Sequence, residues 1–239
     1  MLSVFALTSC TKDTEGLQSP AEDSSINNQT TLLVSEENVN VMNKGGLSSA
    51  DIGRYHNIAV NLYFNNGGSS GATVEQIQDD IIKQMNSNYP SLMSGFSIDK
   101  NYNFISTYYS EKSISPSQKT NLVNQGLNKM ITDKTISSNF ASSIKDVTLK
   151  KDSYANKITQ LNSIKASNSD EAYILDTYKA VLTNSNNLWN NGGQQSSRLK
   201  CSSGVIAADA VGAAVGLFGG PLWSIIQGAV VSIAVNEDC

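Results

Sequence analysis

The chain has 239 residues and a mass of 25.6 kDa, with 17 Lys and Arg against 21 Asp and Glu, a net charge of −4, and only 16% charged residues. Average soluble proteins carry roughly 25%; Ser, Asn and Thr fill the difference, which excludes a polyelectrolyte, a collagen-like repeat and a multi-span membrane protein. An acidic pI near 5.0 leaves no electrostatic footprint for nucleic acid, and the length suits one or two domains.

Residues 1–9 are mostly apolar (Leu2, Val4, Phe5, Ala6, Leu7) and end in Thr8-Ser9 before Cys10. An apolar stretch ending in small residues reads as a secretory signal, set apart from the fold. Its apolar part is short and no basic segment precedes it, so the start is expected upstream. Leu7-Thr8-Ser9-Cys10 resembles the lipobox of bacterial lipoproteins. The resemblance implies cleavage before Cys10, lipid on the new N-terminal cysteine, and a membrane as partner through that lipid. Thr11-Lys12-Asp13-Thr14-Glu15 is similar to the Lys-plus-acid signal of surface-displayed Bacteroidetes lipoproteins, which implies an outer-membrane location, surface-exposed or facing the periplasm. The rest of the stretch from 10 to 50 holds Lys12 and Lys44 against six acids and reads as an acidic, disordered tether, too polar to bury a core. Leu32-Leu33-Val34 and Val39, Val41 and Met42 are segments suited to dock locally onto the domain.

Residues 51–200 form the expected bundle domain, where helical periodicity dominates. A weak stripe runs from Ile52 to Tyr63. Val74, Ile77, Ile81 and Met85 step by helical intervals behind Thr73 as N-cap. Asn103 to Tyr109 is the best strand candidate. Ser115-Pro116 opens a stripe of Val123, Leu127, Met130 and Ile131. Another weak stripe spans Ile136 to Leu149. Tyr154, Ile158, Leu161 and Ile164 make the next, and Ile174, Tyr178, Val181, Leu182 and Leu188 follow Ser169 with acids Asp170 and Glu171 in the first turn. Linkers fall at 65–71 and 190–193, giving about six helices.

Residues 201–239 carry the most organised pattern. From Gly204 to Val235 the only strongly polar side chains are Asp209 and Gln227, and Gly219-Gly220-Pro221 breaks the run. Ala208, Gly212, Gly216 and Gly220 recur every four residues, and Ser224, Gly228 and Ser232 do so beyond the break. Spacing of four places each set on one helix face, where small residues let backbones approach closely. The pattern predicts a helical hairpin of a glycine-zipper kind, about 203–218 against 222–236. Cys201 and Cys239 lie 19 residues either side of Gly220, so a fold there makes them neighbours and an exported chain can oxidise them. Three cysteines then divide into one for lipid and two for a bridge, worth around 3–4 kcal/mol in the chain-entropy model. The expected fold is all-α: a helical bundle with a disulfide-closed C-terminal helical hairpin. Each arm is only about 24 Å long at 1.5 Å per residue, short of the roughly 20 residues a bilayer needs. Burial in the bundle core is the expected role, and membrane insertion is the alternative.

His56, the only histidine, lies in Gly53-Arg54-Tyr55-His56-Asn57. This G-x-x-H-N run, with the Gly/Ala-rich apolar tail, is similar to a helical family of Bacteroidetes and Firmicutes lipoproteins and secreted proteins; the resemblance implies no particular activity. His56 sits at the edge of an apolar face and reads as a structural histidine, with His56 and Asn57 the candidate binding residues. Glu75, Asp79 and Asp80 read as a solvated acidic face rather than half a cation site. Trp189, Tyr102, Tyr108 and Tyr109 read as core before recognition surface. No Walker loop, nucleophile elbow or zinc spacing occurs. The sequence therefore points to a non-enzymatic binding or structural module without metal or cofactor. Other envelope proteins are its further implied partners, and a membrane-active protein working through the hairpin is the alternative.

Overall fold

In the computed structural model, residues 46–68, 71–191 and 203–235 are described, and among them every regular element is helical. The Ser- and Asn-rich composition has a direct structural use. Helices α1 (Ser49–Asn65), α2 (Val74–Asn88), α4 (Pro116–Thr132), α5 (Ser138–Leu149), α6 (Tyr154–Ser163) and α7 (Ser169–Trp189) begin behind Ser48, Thr73, Ser115, Ser137, Ser153 and Asn168. Each of those six side chains accepts a hydrogen bond from a backbone N–H of the first turn, a cap typically worth about 1 kcal/mol. Thr73 with Gln76 and Ser115 with Gln118 close full capping boxes. α7 opens at Ser169 with Asp170 and Glu171 in its first turn, as expected from the sequence, and Asn168 is its cap. A one-turn helix α3 (Pro90–Met93) follows α2. The aromatic segment expected as the best strand forms a 3-10 helix over Phe104–Tyr108, burying Ile105 and Tyr108.

The remaining two helices, α8 (Ser203–Gly216) and α9 (Pro221–Ala234), are joined by a 3-10 turn at Leu217–Gly219. Gly220 has φ +99°, a left-handed conformation that only glycine adopts freely, and Pro221 starts α9 at N1. The chain thus reverses where the Gly-Gly-Pro signal falls. Each arm has 14 residues and is about 21 Å long, and no described helix is long and apolar enough to cross a membrane.

Burial explains the architecture. Residues 206–216 and 223–235 are buried without exception, so over these stretches neither arm has a solvent face. α9 packs on α8, α1 and α2, while α8 packs on α7, α4 and α5, and the described elements form one compact unit with the hairpin at its centre. The surrounding helices are amphipathic: Val74, Ile77, Ile81 and Met85 of α2 are at most 2% exposed, while Glu75, Asp79 and Asp80 face solvent. Cys10, Cys201 and Cys239 lie outside the described residues.

Within the hairpin the arms touch backbone to backbone. A Cβ on Gly216 would stand 2.7 Å from Ser224 Cα and 2.9 Å from Trp223 O. A Cβ on Gly212 would meet Val231 Cγ2 at 2.9 Å, a side chain able to move. Ser224 Oγ donates to Ala213 O at 2.6 Å, closing the interface with a polar link between the arms. Gly216→Ala is therefore expected to lower stability by about 1–3 kcal/mol, the cost of overpacking against atoms that cannot yield. Gly212→Ala should cost clearly less. Urea denaturation of the two variants checks the ranking, and equal losses would contradict it.

Candidate functional site

The G-x-x-H-N run lies at the crossing of α1 with α7 and α9, and its residue types follow from that position. Gly53 faces α7 so closely that a Cβ would meet Ala180 O at 2.8 Å and Asn184 Nδ2 at 2.7 Å. One turn on, Asn57 Nδ2 donates to the Asn184 backbone carbonyl at 2.9 Å, fixing the register of the two helices. His56 lies between, fully buried, with Nδ1 3.1 Å from Asn57 Oδ1. Its Cδ2 stands 3.1 Å from where a Cβ of Gly228 would be. The glycine of α1 admits α7, and the glycine of α9 admits the imidazole. Nε2 faces the Gly228 backbone without reaching hydrogen-bond geometry. Burial lowers the His56 pKa to about 4, although Asn57 and the Gly228 backbone pull the other way, so the ring is neutral at pH 7. The two candidate binding residues are thus brought together at a helix junction, with His56 closed to solvent and Asn57 half-buried.

A second buried cluster joins α7 to both hairpin arms. Ser232 Oγ donates to Asp209 Oδ2 at 2.9 Å and accepts from Trp189 Nε1 at 3.2 Å. Asp209 Oδ1 and the neighbouring Ser185 Oγ are buried and lack bonding geometry. Burial pushes the Asp209 pKa up to about 8; Ser232, Ser185 and the Lys119 charge on α4 reduce the shift. The neutral acid is the form that suits this position, since it gives Oδ1 or Oδ2 a proton to donate. Tyr178, raised by its burial, bonds Thr148 at 3.0 Å nearby and closes α7 onto α5.

Two further ionisable groups, Glu171 (expected only as a first-turn acid) and Lys157 (not singled out in the sequence), tie helix ends together. Glu171 accepts four hydrogen bonds of 2.6–2.8 Å, from the N–H and Oγ of Ser137 and of Ser167. Burial would raise its pKa; the four donors outweigh that and hold it at about 2. One carboxylate therefore fastens the N-terminus of α5 to that of α7. Lys157, fully buried on α6, donates to the carbonyls of Val147 and, at 2.7 Å, Lys150, capping the C-terminal turn of α5. Burial lowers its pKa to about 8. The available signal was its place one helical turn before Leu161, inside an apolar stripe.

Asp79 and Asp80 line an open surface groove of about 420 Å³, and no group of three or more His, Cys, Asp and Glu able to hold a metal occurs among the described residues. Trp189 and Tyr108 are core, and Tyr109 bonds Gln78 Oε1 at 2.9 Å. Tyr102 is half-buried, its hydroxyl donating to Asp133 at 2.9 Å. Comparison with protein-family models, with curated proteins and with solved structures gives no match. What the chemistry of these buried groups does is hold helices in register.

The shifts have opposite signs with pH. Asp209 is raised from 3.8 to about 8, so the folded state holds a proton that the unfolded chain has lost, and stability falls as pH rises towards 8. His56 is lowered from 6.5 to about 4, so stability falls as pH drops through that interval. Glu171 acts only below 4.5 and Lys157 only above about 8. Between pH 6.5 and 8 Asp209 acts alone among these four, and stability should fall by about 1–2 kcal/mol. Asp209→Asn should abolish that slope while retaining an acceptor for Ser232. Denaturant titrations across this range test it, and an unchanged slope in the variant would contradict it.

Proposed function

We propose that the protein is a lipid-anchored helical module of the bacterial outer membrane, held by an acylated Cys10 and working by binding or structural support rather than by catalysis. The observation that carries the reading is the enclosure of the apolar hairpin. Residues 206–216 and 223–235, the part of the chain best suited to lipid, are buried within the bundle. Membrane attachment is then left to the lipobox cysteine. Each acyl CH₂ contributes roughly 0.8 kcal/mol, so several chains on one cysteine hold a protein firmly where one chain would be marginal.

The buried ionisable groups support the non-catalytic part of the reading. His56, Asp209, Glu171 and Lys157 are each spent on a helix junction or a helix end, whereas a catalytic group needs access to substrate. The proposed Cys201–Cys239 bridge fits the same architecture. Asp209 pairs with Ser232 and Ala213 with Ser224, so the hairpin runs antiparallel and its open end lies toward residues 203 and 235. A bridge there would fasten the ends of the core, as an exported protein can afford through oxidation.

Expressed with its signal, the protein should sediment with membranes and carry an acyl mass on Cys10, and Cys10→Ala should move it to the soluble fraction still folded. A Cys10→Ala protein that stays with the membrane would refute the anchor.

A further inference from the structure

The ends of the bundle differ, and the difference can be read from side-chain pairs along α1. Ser49, at its N-terminus, bonds Thr177 at 3.0 Å, while Phe64, at its C-terminus, packs its ring on Trp189 at 6.0 Å. α1 and α7 therefore run parallel. α9 meets α1 through Gly228 at His56 and meets Trp189 through Ser232. Its C-terminal part thus lies towards the Phe64 end, and the hairpin corner at Gly220-Pro221 lies towards the Ser49 end. Tyr89, at the end of α2, packs edge-on against Tyr55 of α1 at 5.7 Å and brings the 94–103 loop to that same end.

That loop covers the corner incompletely. Phe96 lies on Trp223 at 6.2 Å, and the Tyr102 carbonyl accepts from Trp223 Nε1 at 3.1 Å and Gln227 Nε2 at 2.9 Å. Around this seam Leu217, Pro221, Leu222 and Phe96 are half-buried, and Ile98 is 38% exposed. Residues 206–216 and 223–235 are buried, so among the described residues of the hairpin it is the corner that brings apolar side chains to the surface. The described chain also starts here: Leu47, whose carbonyl accepts from Tyr173 at 2.7 Å, precedes Ser49. Only 35 residues separate Cys10 from Gly46.

We infer that this end of the bundle, formed by the hairpin corner and the 94–103 loop, is a lipid-contacting surface that seats the domain on the bilayer holding its anchor. The inference rests on the anchoring of Cys10 proposed above. An apolar patch of a few side chains binds a bilayer weakly by itself. Linked to an anchor in the same bilayer its contact becomes intramolecular, and short linkers give effective concentrations in the millimolar range. The surface would orient the domain, presenting the opposite, Phe64 end away from the membrane.

Hydrogen exchange of the full lipidated chain in phosphatidylethanolamine–phosphatidylglycerol vesicles tests this. Amides of 94–103 and 217–223 should exchange about tenfold more slowly than in soluble Cys10→Ala protein, with 61–66 and 184–190, at the Phe64 end, unchanged. Ile98→Asp with Leu222→Asp should remove the protection while the protein stays membrane-bound; Ile98→Asp alone, at an exposed site, should weaken it without touching the fold. Equal exchange on and off vesicles, or protection at the Phe64 end instead, overturns the inference. Should Cys10 prove unmodified by mass, the anchor reading is what fails. Flotation of the Cys10→Ala protein at millimolar lipid then decides: flotation lost on Ile98→Asp supports the surface, and no flotation overturns it.

Discussion

A helix with no polar face must be surrounded, and this protein contains two of them joined end to end. Along 206–216 and 223–234 neither α8 nor α9 offers a side chain to water, so the hairpin they form can only be the middle of something. Burying both helices on every side takes five further helices, and α1, α2, α4, α5 and α7 supply the apolar stripes that do it. The rest of the structure answers that single requirement: long amphipathic helices, efficient caps on each, and polar side chains placed where helix ends meet.

The cost of such a core lies in its few polar atoms. Asp209, Ser224, Ser232 and Gln227 are all buried within the hairpin. Ser224 and Ser232 bond across to the other arm, and Gln227 reaches the Tyr102 carbonyl at the corner. Asp209 is the exception, with one oxygen lacking bonding geometry, and a proton on the carboxyl is the least costly remedy. The same economy governs the periphery. Glu171 joins two serine turns and Lys157 collects the carbonyls at the end of α5, so single side chains replace longer stretches of packing.

Much of this was legible in the sequence, because periodicity and turn chemistry are local. The stripe from Val74 to Met85, the Ser115-Pro116 entry and the Gly-Gly-Pro corner follow from spacing and backbone preference alone. What could not be read was whatever depends on a distant partner. Gly53 and His56 make sense only beside Ala180 and Gly228, well over a hundred residues away. Glu171 reads locally as an acid suiting a helix dipole, yet its partners Ser137 and Ser167 give it a different task. The aromatic run at 103–109 has strand composition, but Ile105 and Tyr108, three apart, are the positions that bury, and that spacing belongs to a helix. Glycines at helix crossings carry the same ambiguity, since a small residue marks a close approach without naming what approaches.

A hairpin enclosed on every side should be the hardest part of the protein to expose. Native-state hydrogen exchange at increasing denaturant measures it directly. Amides of 206–216 and 223–234 should open only with global unfolding and be the slowest in the protein, while those of α6 exchange through smaller openings. If the hairpin amides exchanged freely while α1 and α7 stayed protected, the surrounding helices would be stable without their centre, and the hairpin would not be the core.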